Sequence, residues 1–284
     1  METIKSLKGI PYNAIFEAFS KAFKDYEMQF NKEELQAMLI RRGFVPELSF
    51  AAFENNEIVA FTLNGIGSFN GIKTAYDTGT GTIKEFRGKG LASKIFLHSI
   101  PFLKNAGVSK YLLEVLQHNT GAISVYKKLG FEVSREFNYY VTKNEEVQLR
   151  PKAMPPDYYK QQIDLRKTEL ITGFWDFNPS WQNSIEAILR APDSFISIGI
   201  FKGQQLVGYC IFEPVSGDVT QIAIDAKYRR MGIATNLLIE ALKFNQHHSV
   251  KIINTEIDCK SISGFLESNA ITPKGKQFEM IKNL

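Results

Sequence analysis

The chain has 284 residues, of which 44% are hydrophobic and 12% aromatic, and its formal net charge is +4 at pH 7. That supplies apolar material for one large domain or two of about 140 residues. The mild basic excess is not gathered into runs, which speaks against nucleic acid as a partner. No apolar run approaches membrane-spanning length, and the opening Met1-Glu2-Thr3-Ile4-Lys5-Ser6 has no signal-peptide core, so a cytoplasmic protein away from membranes is expected.

In chain order, residues 3–7 read as a short strand. Residues 11–23 read as a helix with Ile15, Phe16, Phe19 and Phe23 on one face. A second helix is predicted over 31–42, where Asn31 caps and Glu34 stands three residues on. Residues 49–53 and 58–66 are strand-like and joined by the Glu54-Asn55-Asn56-Glu57 turn. A Gly- and Thr-rich strand follows at 73–83, then a turn at Arg87 and a helix to about Asn105. A strand at 111–116, a helix at 120–129 and a closing strand at 131–141 complete the first half. The second half repeats the order. Residues 181–189 are helical, and 194–201 and 206–212 form a hairpin about Lys202-Gly203-Gln204. A strand at 218–224 leads to a turn at Arg229 and a helix to about Phe244, followed by a strand at 251–257 and a helix at 261–268. The charged stretch 143–146 and the segment 151–156 mark a junction, giving domains 1–142 and 147–284. Strands interleaved with helices predict an α/β fold, a mixed sheet flanked by helices, duplicated in tandem.

The duplication is carried by one pattern, R-x-x-G-x-A. It occurs as Arg87-Gly88-Lys89-Gly90-Leu91-Ala92 and again as Arg229-Arg230-Met231-Gly232-Ile233-Ala234. Glycines and a small alanine let a ligand approach the backbone closely. The helix that starts there offers unpaired N–H groups and its positive dipole end, which suits a pyrophosphate. Neither copy is a nucleotide-triphosphate or dinucleotide loop. Cys210 and Cys259 read as buried free thiols in apolar, strand-like surroundings. His98, His118, His247 and His248 have no partners at metal-ligand spacing, so no metal is expected.

The order of elements, with this pattern after the fourth strand, resembles the GNAT superfamily of acyl-CoA-dependent N-acyltransferases. Asn119, Ala122, Tyr126 and the run Leu129-Gly130-Phe131 are similar to the family's second signature. The resemblance implies acetyl-CoA as co-substrate and an amine, on a small molecule or a peptide, as acceptor. It implies that the backbone of Arg87, Gly88, Lys89, Gly90, Leu91, Ala92 and Ser93 holds the CoA pyrophosphate. It also implies that Thr80, Gly81, Thr82 and Ile83 hold the pantetheine and acyl oxygen, and that Asn119 contacts the CoA arm. A protonated amine cannot attack a thioester, and the departing thiolate leaves better when protonated. Tyr126 matches the family's tyrosine acid. Glu114 matches the glutamate base of ribosomal-protein N-terminal acetyltransferases, with an ordinary strand-edge carboxylate or His118 as the alternatives.

The second half resembles the first signature only. A possible second CoA site comprises Ile222, Ala223, Ile224, Arg229, Arg230, Met231, Gly232, Ile233, Ala234 and Thr235. Aligning Leu129-Gly130-Phe131 with Ser268-Asn269-Ala270 sets Phe265 opposite Tyr126 and Asp258 opposite Asn119, so this repeat is expected to be degenerate or structural. Two rivals stay open: a non-catalytic CoA-binding scaffold, and catalysis in the C-terminal repeat. Tyr12, Tyr26, Phe30, Phe69 and Trp175 are candidates to line an acceptor pocket.

Overall fold

The computed structural model describes residues 2–26, 29–167 and 169–284. The chain forms two compact units, Met1–Ser134 with Glu279–Leu284, and Arg135–Phe278. Its elements are β1 (Thr3–Ser6), α1 (Tyr12–Ala22), α2 (Lys32–Arg42), β2 (Phe50–Glu54), β3 (Glu57–Phe69), β4 (Ile72–Thr82), α3 (Leu91–Asn105), β5 (Lys110–Leu116), α4 (Thr120–Lys128) and β6 (Glu132–Lys143). There follow β7 (Tyr158–Gln162), α5 (Ile185–Arg190), β8 (Ile196–Lys202), β9 (Gln205–Glu213), β10 (Asp218–Ile224), α6 (Ile233–Leu242), β11 (Ser249–Glu256), α7 (Lys260–Glu267) and β12 (Pro273–Asn283).

In the first unit the strands run in the order β1-β2-β3-β4-β5. Neighbours are antiparallel except β4 and β5, which are parallel across the α3 connection. Ile15, Phe19, Leu35 and Leu39 of α1 and α2 pack with Phe61 and Leu63 of β3. Leu91 and Ile95 of α3 pack with Phe50, Ala52 and Ala60. Burial of each Leu, Ile or Phe among them contributes about 1.5–3 kcal/mol. The cap expected for α2 is complete: Glu34 N–H donates to Asn31 Oδ1, and Asn31 N–H to Glu34 Oε2, both at 2.8 Å. Gly43 ends the helix at φ 78°, a conformation that favours glycine.

The second unit orders its strands β6-β11-β10-β9-β8-β7. Its core gathers Val207, Cys210 and Phe212 of β9 with Leu237 and Leu238 of α6 and Val250 and Ile252 of β11. The helix expected at 181–189 is instead a 3-10 turn at Trp181–Asn183 followed by α5. Ser184 makes the break, accepting from Ala187 N–H at 3.1 Å and donating to Trp181 O at 2.8 Å.

The closing strands differ from the sequence reading. Residues 135–142 belong to the second unit, where Phe137, Asn138 and Tyr140 to Lys143 pair antiparallel with β11. Glu279–Leu284 belong to the first unit: Leu284 N–H donates to Ser109 O at 2.9 Å, and Ser134 Oγ to Glu279 Oε1 at 2.7 Å. Each unit is therefore completed by chain from the other repeat. β12 lies beyond the last element read from sequence, and its Glu279 and Met280 are buried.

Cys259 also departs from expectation. Cys210 lies fully buried in β9, whereas Cys259 is half-buried at the start of α7 with its Sγ 3.3 Å from Ser261 Oγ. Burial pushes the Cys210 thiol up to about 12.

Two outcomes follow. Met280→Ala removes a fully buried side chain and is expected to cost about 2–5 kcal/mol in urea unfolding; a change below about 0.5 kcal/mol would place this residue outside the packed core. A thiol reagent at pH 8 is expected to label Cys259 in the native protein and Cys210 only after denaturation, read by peptide mass spectrometry; native labelling of Cys210 would contradict its burial.

Candidate active site

The site begins with an irregularity in β4. Its register against β3 slips, so that Leu63 pairs with Gly79, Asn64 pairs with Asp77, and Thr78 is the extra residue. Such a bulge breaks the alternation of a strand and brings Asp77 and Thr80 to the same face. Thr80 Oγ1 donates to Asp77 Oδ2 at 2.8 Å, and Gly79 N–H to Asp77 Oδ1 at 3.0 Å. The bulge is fastened on both sides by Thr78 Oγ1 donating to Leu63 O at 2.8 Å and Arg42 Nη1 donating to Thr78 O at 3.1 Å.

On its other edge β4 meets β5 only at Thr74–Lys110, Ala75–Tyr111 and Tyr76–Leu112. Pairing stops there, although β4 runs on to Thr82 and β5 to Leu116. The two strands part, and a wedge opens between them. Ile83 N–H donates to Val59 O at 3.0 Å. Alternation then turns the Gly81 amide toward β3, and the Thr80 and Thr82 amides toward the wedge.

Tyr126, in the last turn of α4, donates its hydroxyl to Asp77 Oδ2 at 3.1 Å. Its ring stands 5.6 Å from that of Phe131, which packs on Phe96 and Tyr111. Burial raises the Tyr126 phenol well above the ordinary range, and the Asp77 charge adds to this. Asp77 is itself raised by desolvation, against which its bonds from Thr80, Tyr126 and Gly79 pull down. Glu114 of β5 accepts from the Tyr76 hydroxyl. The Arg42 guanidinium lies 5.9 Å from the Tyr76 ring. Because Tyr76 and Asp77 are successive in β4, they point to opposite faces. Tyr126 and Glu114 thus flank the wedge from its two sides. Asn119 caps α4, its Oδ1 accepting from Ala122 N–H at 3.2 Å. His118 is exposed beside it.

The glycine turn closes the end of the wedge. Gly88 (φ +78°) and Gly90 (φ +72°) are left-handed, and a Cβ on either would meet nothing within 4 Å. The turn is open on its outer side. Gly90 caps α3 without any side-chain bond, so the first amides of the helix, from Leu91 to Ser93, keep their donor capacity. The Arg87 side chain is turned inward, Nε to Thr82 O at 3.1 Å and Nη2 to Ala22 O at 2.8 Å. It braces the turn and leaves the backbone to face a ligand. Lys89 Nζ sits 4.5 Å from the Phe86 ring. This open cradle and the free amides fit a pyrophosphate and its pantetheine arm. Of the proposed pocket aromatics, Tyr12 donates to Lys32 O at 2.6 Å and Phe30 packs by α1. Tyr26 is largely exposed and Phe69 buried at the far end of β3, so the four do not gather in one pocket.

The second unit keeps the brace, the bulge and the parting of its strands, and differs at the turn and in the side chains. Arg229 Nε donates to Ile224 O at 3.1 Å, and its Nη2 pairs with Asp176 at 2.9 Å. Arg230 takes the place of Gly88 at φ 66°, a conformation costly to a residue with a Cβ. A Cβ on Gly232 would meet Lys152 Cβ at 2.8 Å, and Asn236 Nδ2 donates to Lys152 O at 2.9 Å. The chain's own segment therefore lies over this turn. β10 and β11 pair only at Asp218–Lys251, beside a cavity of about 410 Å³. Ile222, Ala223, Ile224, Arg229, Arg230, Gly232, Ile233, Ala234 and Thr235 line it with Trp175, Tyr209, Cys259 and Phe265; Met231 is exposed.

Backbone geometry shifts the alignment of the repeats by one residue. Phe131 N–H donates to Tyr126 O, with Gly130 at φ 84°; Ile271 N–H donates to Leu266 O, with Ala270 at φ 61°. Leu266, rather than Phe265, stands where Tyr126 does, and Cys259 holds the N-cap position of α7 that Asn119 holds in α4, without the side-chain cap bond that Asn119 makes. Counting from the paired residues Leu112 and Lys251, Ile253 takes the place of Glu114. No hydroxyl or carboxylate occupies either position. Asp77, Tyr76 and Arg42 were missed by sequence reasoning; a lone carboxylate within the Gly- and Thr-rich strand was the available signal for the first.

Among the described residues no group of three or more His, Cys, Asp or Glu side chains is placed to hold a metal ion. No helix among them is long and apolar enough to cross a membrane.

Comparison with known proteins places this architecture. The profile of the Acetyltransferase (GNAT) family matches residues 12–131 and again 160–260. N-alpha-acetyltransferase 30 of Schizosaccharomyces pombe is 30% identical over 119 residues, 40% of this chain and 79% of that protein. N-alpha-acetyltransferase MAK3 of Arabidopsis thaliana is 28% identical over 120 residues, 41% of this chain and 63% of that one. A tandem GNAT protein from the clavulanic acid biosynthesis pathway has the same fold at a TM-score of 0.73 and 11% identity, over 100% of this chain and 98% of its own. A GCN5-related N-acetyltransferase from Sphaerobacter thermophilus gives 0.71 and 13%, over 99% and 95%. The chain therefore belongs to the GNAT family of acetyltransferases, carries two copies of its domain, and is an acyltransferase.

Proposed function

We propose that this protein transfers an acetyl group from acetyl-CoA to a primary amine, that the chemistry resides in the first unit, and that a peptide α-amino group is the acceptor class. The observation that carries the reading is the pair of acid–base groups on opposite sides of one wedge, Tyr126 on Asp77 and Glu114 under Tyr76, beside an open glycine turn. The names of the two eukaryotic relatives support the α-amino acceptor.

In this reading the amides of residues 88–93 bind the pyrophosphate, and the Thr80 and Thr82 backbone aligns the arm and polarises the acyl oxygen. Glu114 takes the proton from the attacking amine, and the Tyr126 hydroxyl turns its one proton from Asp77 Oδ2 to the departing sulfur, leaving CoA as the thiol. No covalent enzyme intermediate is required. The two units divide the work in this reading, Met1–Ser134 with Glu279–Leu284 catalytic and Arg135–Phe278 a structural copy. Arg230, the overlying Lys152 and the loss of counterparts to Tyr126 and Glu114 support that division.

Turnover, followed as thiol release from acetyl-CoA, is expected with peptides bearing a free N-terminus and to vanish when that amine is blocked. Tyr126→Phe deletes the proton and keeps the ring, so kcat should fall about 10²-fold with the KM for acetyl-CoA little changed. Full activity in Tyr126→Phe would leave this residue as packing.

Acetyl-CoA should also raise the melting temperature, as any ligand selective for the native state does. Gly90→Glu should abolish that rise. Gly9→Glu is the control, because Gly9 is left-handed (φ +74°) with open space around it and carries the same strain away from the site. Gly232→Glu should leave turnover within a few-fold of the parent. Loss with Gly232→Glu and retention with Gly90→Glu would move the chemistry to the second unit; a ligand-induced rise without turnover would favour a binding scaffold.

A further inference from the structure

We infer that Asp77 is a positioning residue for this reaction, one that fixes the Tyr126 hydroxyl at the mouth of the wedge without itself touching either substrate. The inference rests on Tyr126 being the proton donor. Three observations carry it. Tyr126 reaches Asp77 from α4 across 49 positions of sequence, its hydroxyl 3.1 Å from Oδ2. The carboxylate cannot turn away to follow another partner, because Thr80 Oγ1 at 2.8 Å and Gly79 N–H at 3.0 Å hold its two oxygens. Finally, Thr80 is itself held by Thr62 Oγ1 at 3.2 Å, so the arrangement is anchored to two adjacent strands.

This construction depends on the bulge. Without Thr78 as the extra residue, Asp77 and Thr80 fall on opposite faces and the carboxylate loses a donor. A phenol on the last turn of a short helix has two free side-chain torsions. One fixed hydrogen bond to its oxygen defines where that oxygen sits before substrate arrives, which is the kind of alignment that acts on kcat. The groups that bear electrostatically on Asp77 and Tyr126 are Arg42 from α2, Tyr76 from β4, Tyr111 from β5 and Tyr26 after α1. Of these only Arg42 favours the ionised carboxylate, and desolvation raises Asp77 against it.

The role is distinct from proton relay. A relay needs a carboxyl proton, which Asp77→Asn lacks; positioning needs an acceptor oxygen, which the side-chain amide of that variant retains. The test is steady-state kinetics on the full chain with Asp77→Ala, Asp77→Asn, Tyr126→Phe and the Asp77→Ala/Tyr126→Phe double variant, each checked for its melting temperature. Asp77→Ala is expected to lower kcat at least tenfold while the KM for acetyl-CoA stays within about twofold. Asp77→Asn should recover most of that loss. The double variant should be no slower than Tyr126→Phe alone, since Asp77 acts through Tyr126.

If Tyr126→Phe is impaired and Asp77→Ala is not, the inference falls and the reading of Tyr126 survives. If Tyr126→Phe is fully active, both fall. Equal losses in the Asn and Ala variants would replace positioning by proton transfer, and a rise in KM with kcat unchanged would make Asp77 a binding residue. Should Asp77→Ala fail to fold, Asp77→Asn and Asp77→Ser carry the same comparison: Ser keeps a small polar group but is too short to reach the Tyr126 hydroxyl, so its kcat should fall and that of Asn should not.

Discussion

Everything proposed for this protein depends on the parting of β4 from β5. A parallel strand pair ordinarily satisfies its amides in a continuous ladder, and exposed strand amides are a liability that folds cover. Here the ladder holds for three residue pairs and then opens. What keeps the opening from collapsing is work done on the other edge. β4 stays bonded to β3 through Thr82, the bulge at Thr78 is fastened by Leu63 O and Arg42, and Arg87 braces the exit by gripping Thr82 O and Ala22 O. The unpaired amides that face the wedge are then a binding resource.

Under the proposed division, comparing the two repeats separates the parts both keep from those the first unit alone carries. Both keep the arginine brace, with the same 3.1 Å bond to the last strand carbonyl. Both keep a bulge, at Thr78 in one and Thr220 in the other. These features serve the fold. The hydroxyl of Tyr126, the carboxylates of Asp77 and Glu114 and the uncovered glycine turn occur in the first unit alone. In the second, Val219, Ile253 and Leu266 stand in those places, and Lys152 lies over the turn. In the proposed division of the two units, a second repeat without chemistry can fill such positions with apolar side chains, which favours packing.

Much of this was legible in the sequence. Helical spacing, the Asn31–Glu34 cap and the paired glycine turns fix the elements locally, and all three were found where the residues placed them. Tyr126 and Glu114 entered by resemblance, the first to the family's second signature and the second to the glutamate of ribosomal-protein N-terminal acetyltransferases, and their side chains lie on either side of the wedge. The rest was hidden for a physical reason: it is non-local. Asp77 gains its meaning from a bulge that no local pattern announces. The closing strands carry periodicity enough to be strands but nothing that states which sheet they join, so residues 135–142 and 279–284 could not be assigned to their units. The alignment of the second repeat slipped by one because β11 carries its own irregularity at Asn254, buried at φ 58°, which alters the spacing between strand and helix. Cys259 looked buried because its neighbours are apolar in sequence, while in space it begins a helix.

The measurement that bears most directly on the central claim is hydrogen–deuterium exchange of the full chain with and without acetyl-CoA. The account predicts slowed exchange at the amides of Thr80 and Thr82 and across residues 88–93, with residues 230–235 unchanged. Slowed exchange confined to residues 230–235, with the first turn unaffected, would contradict it.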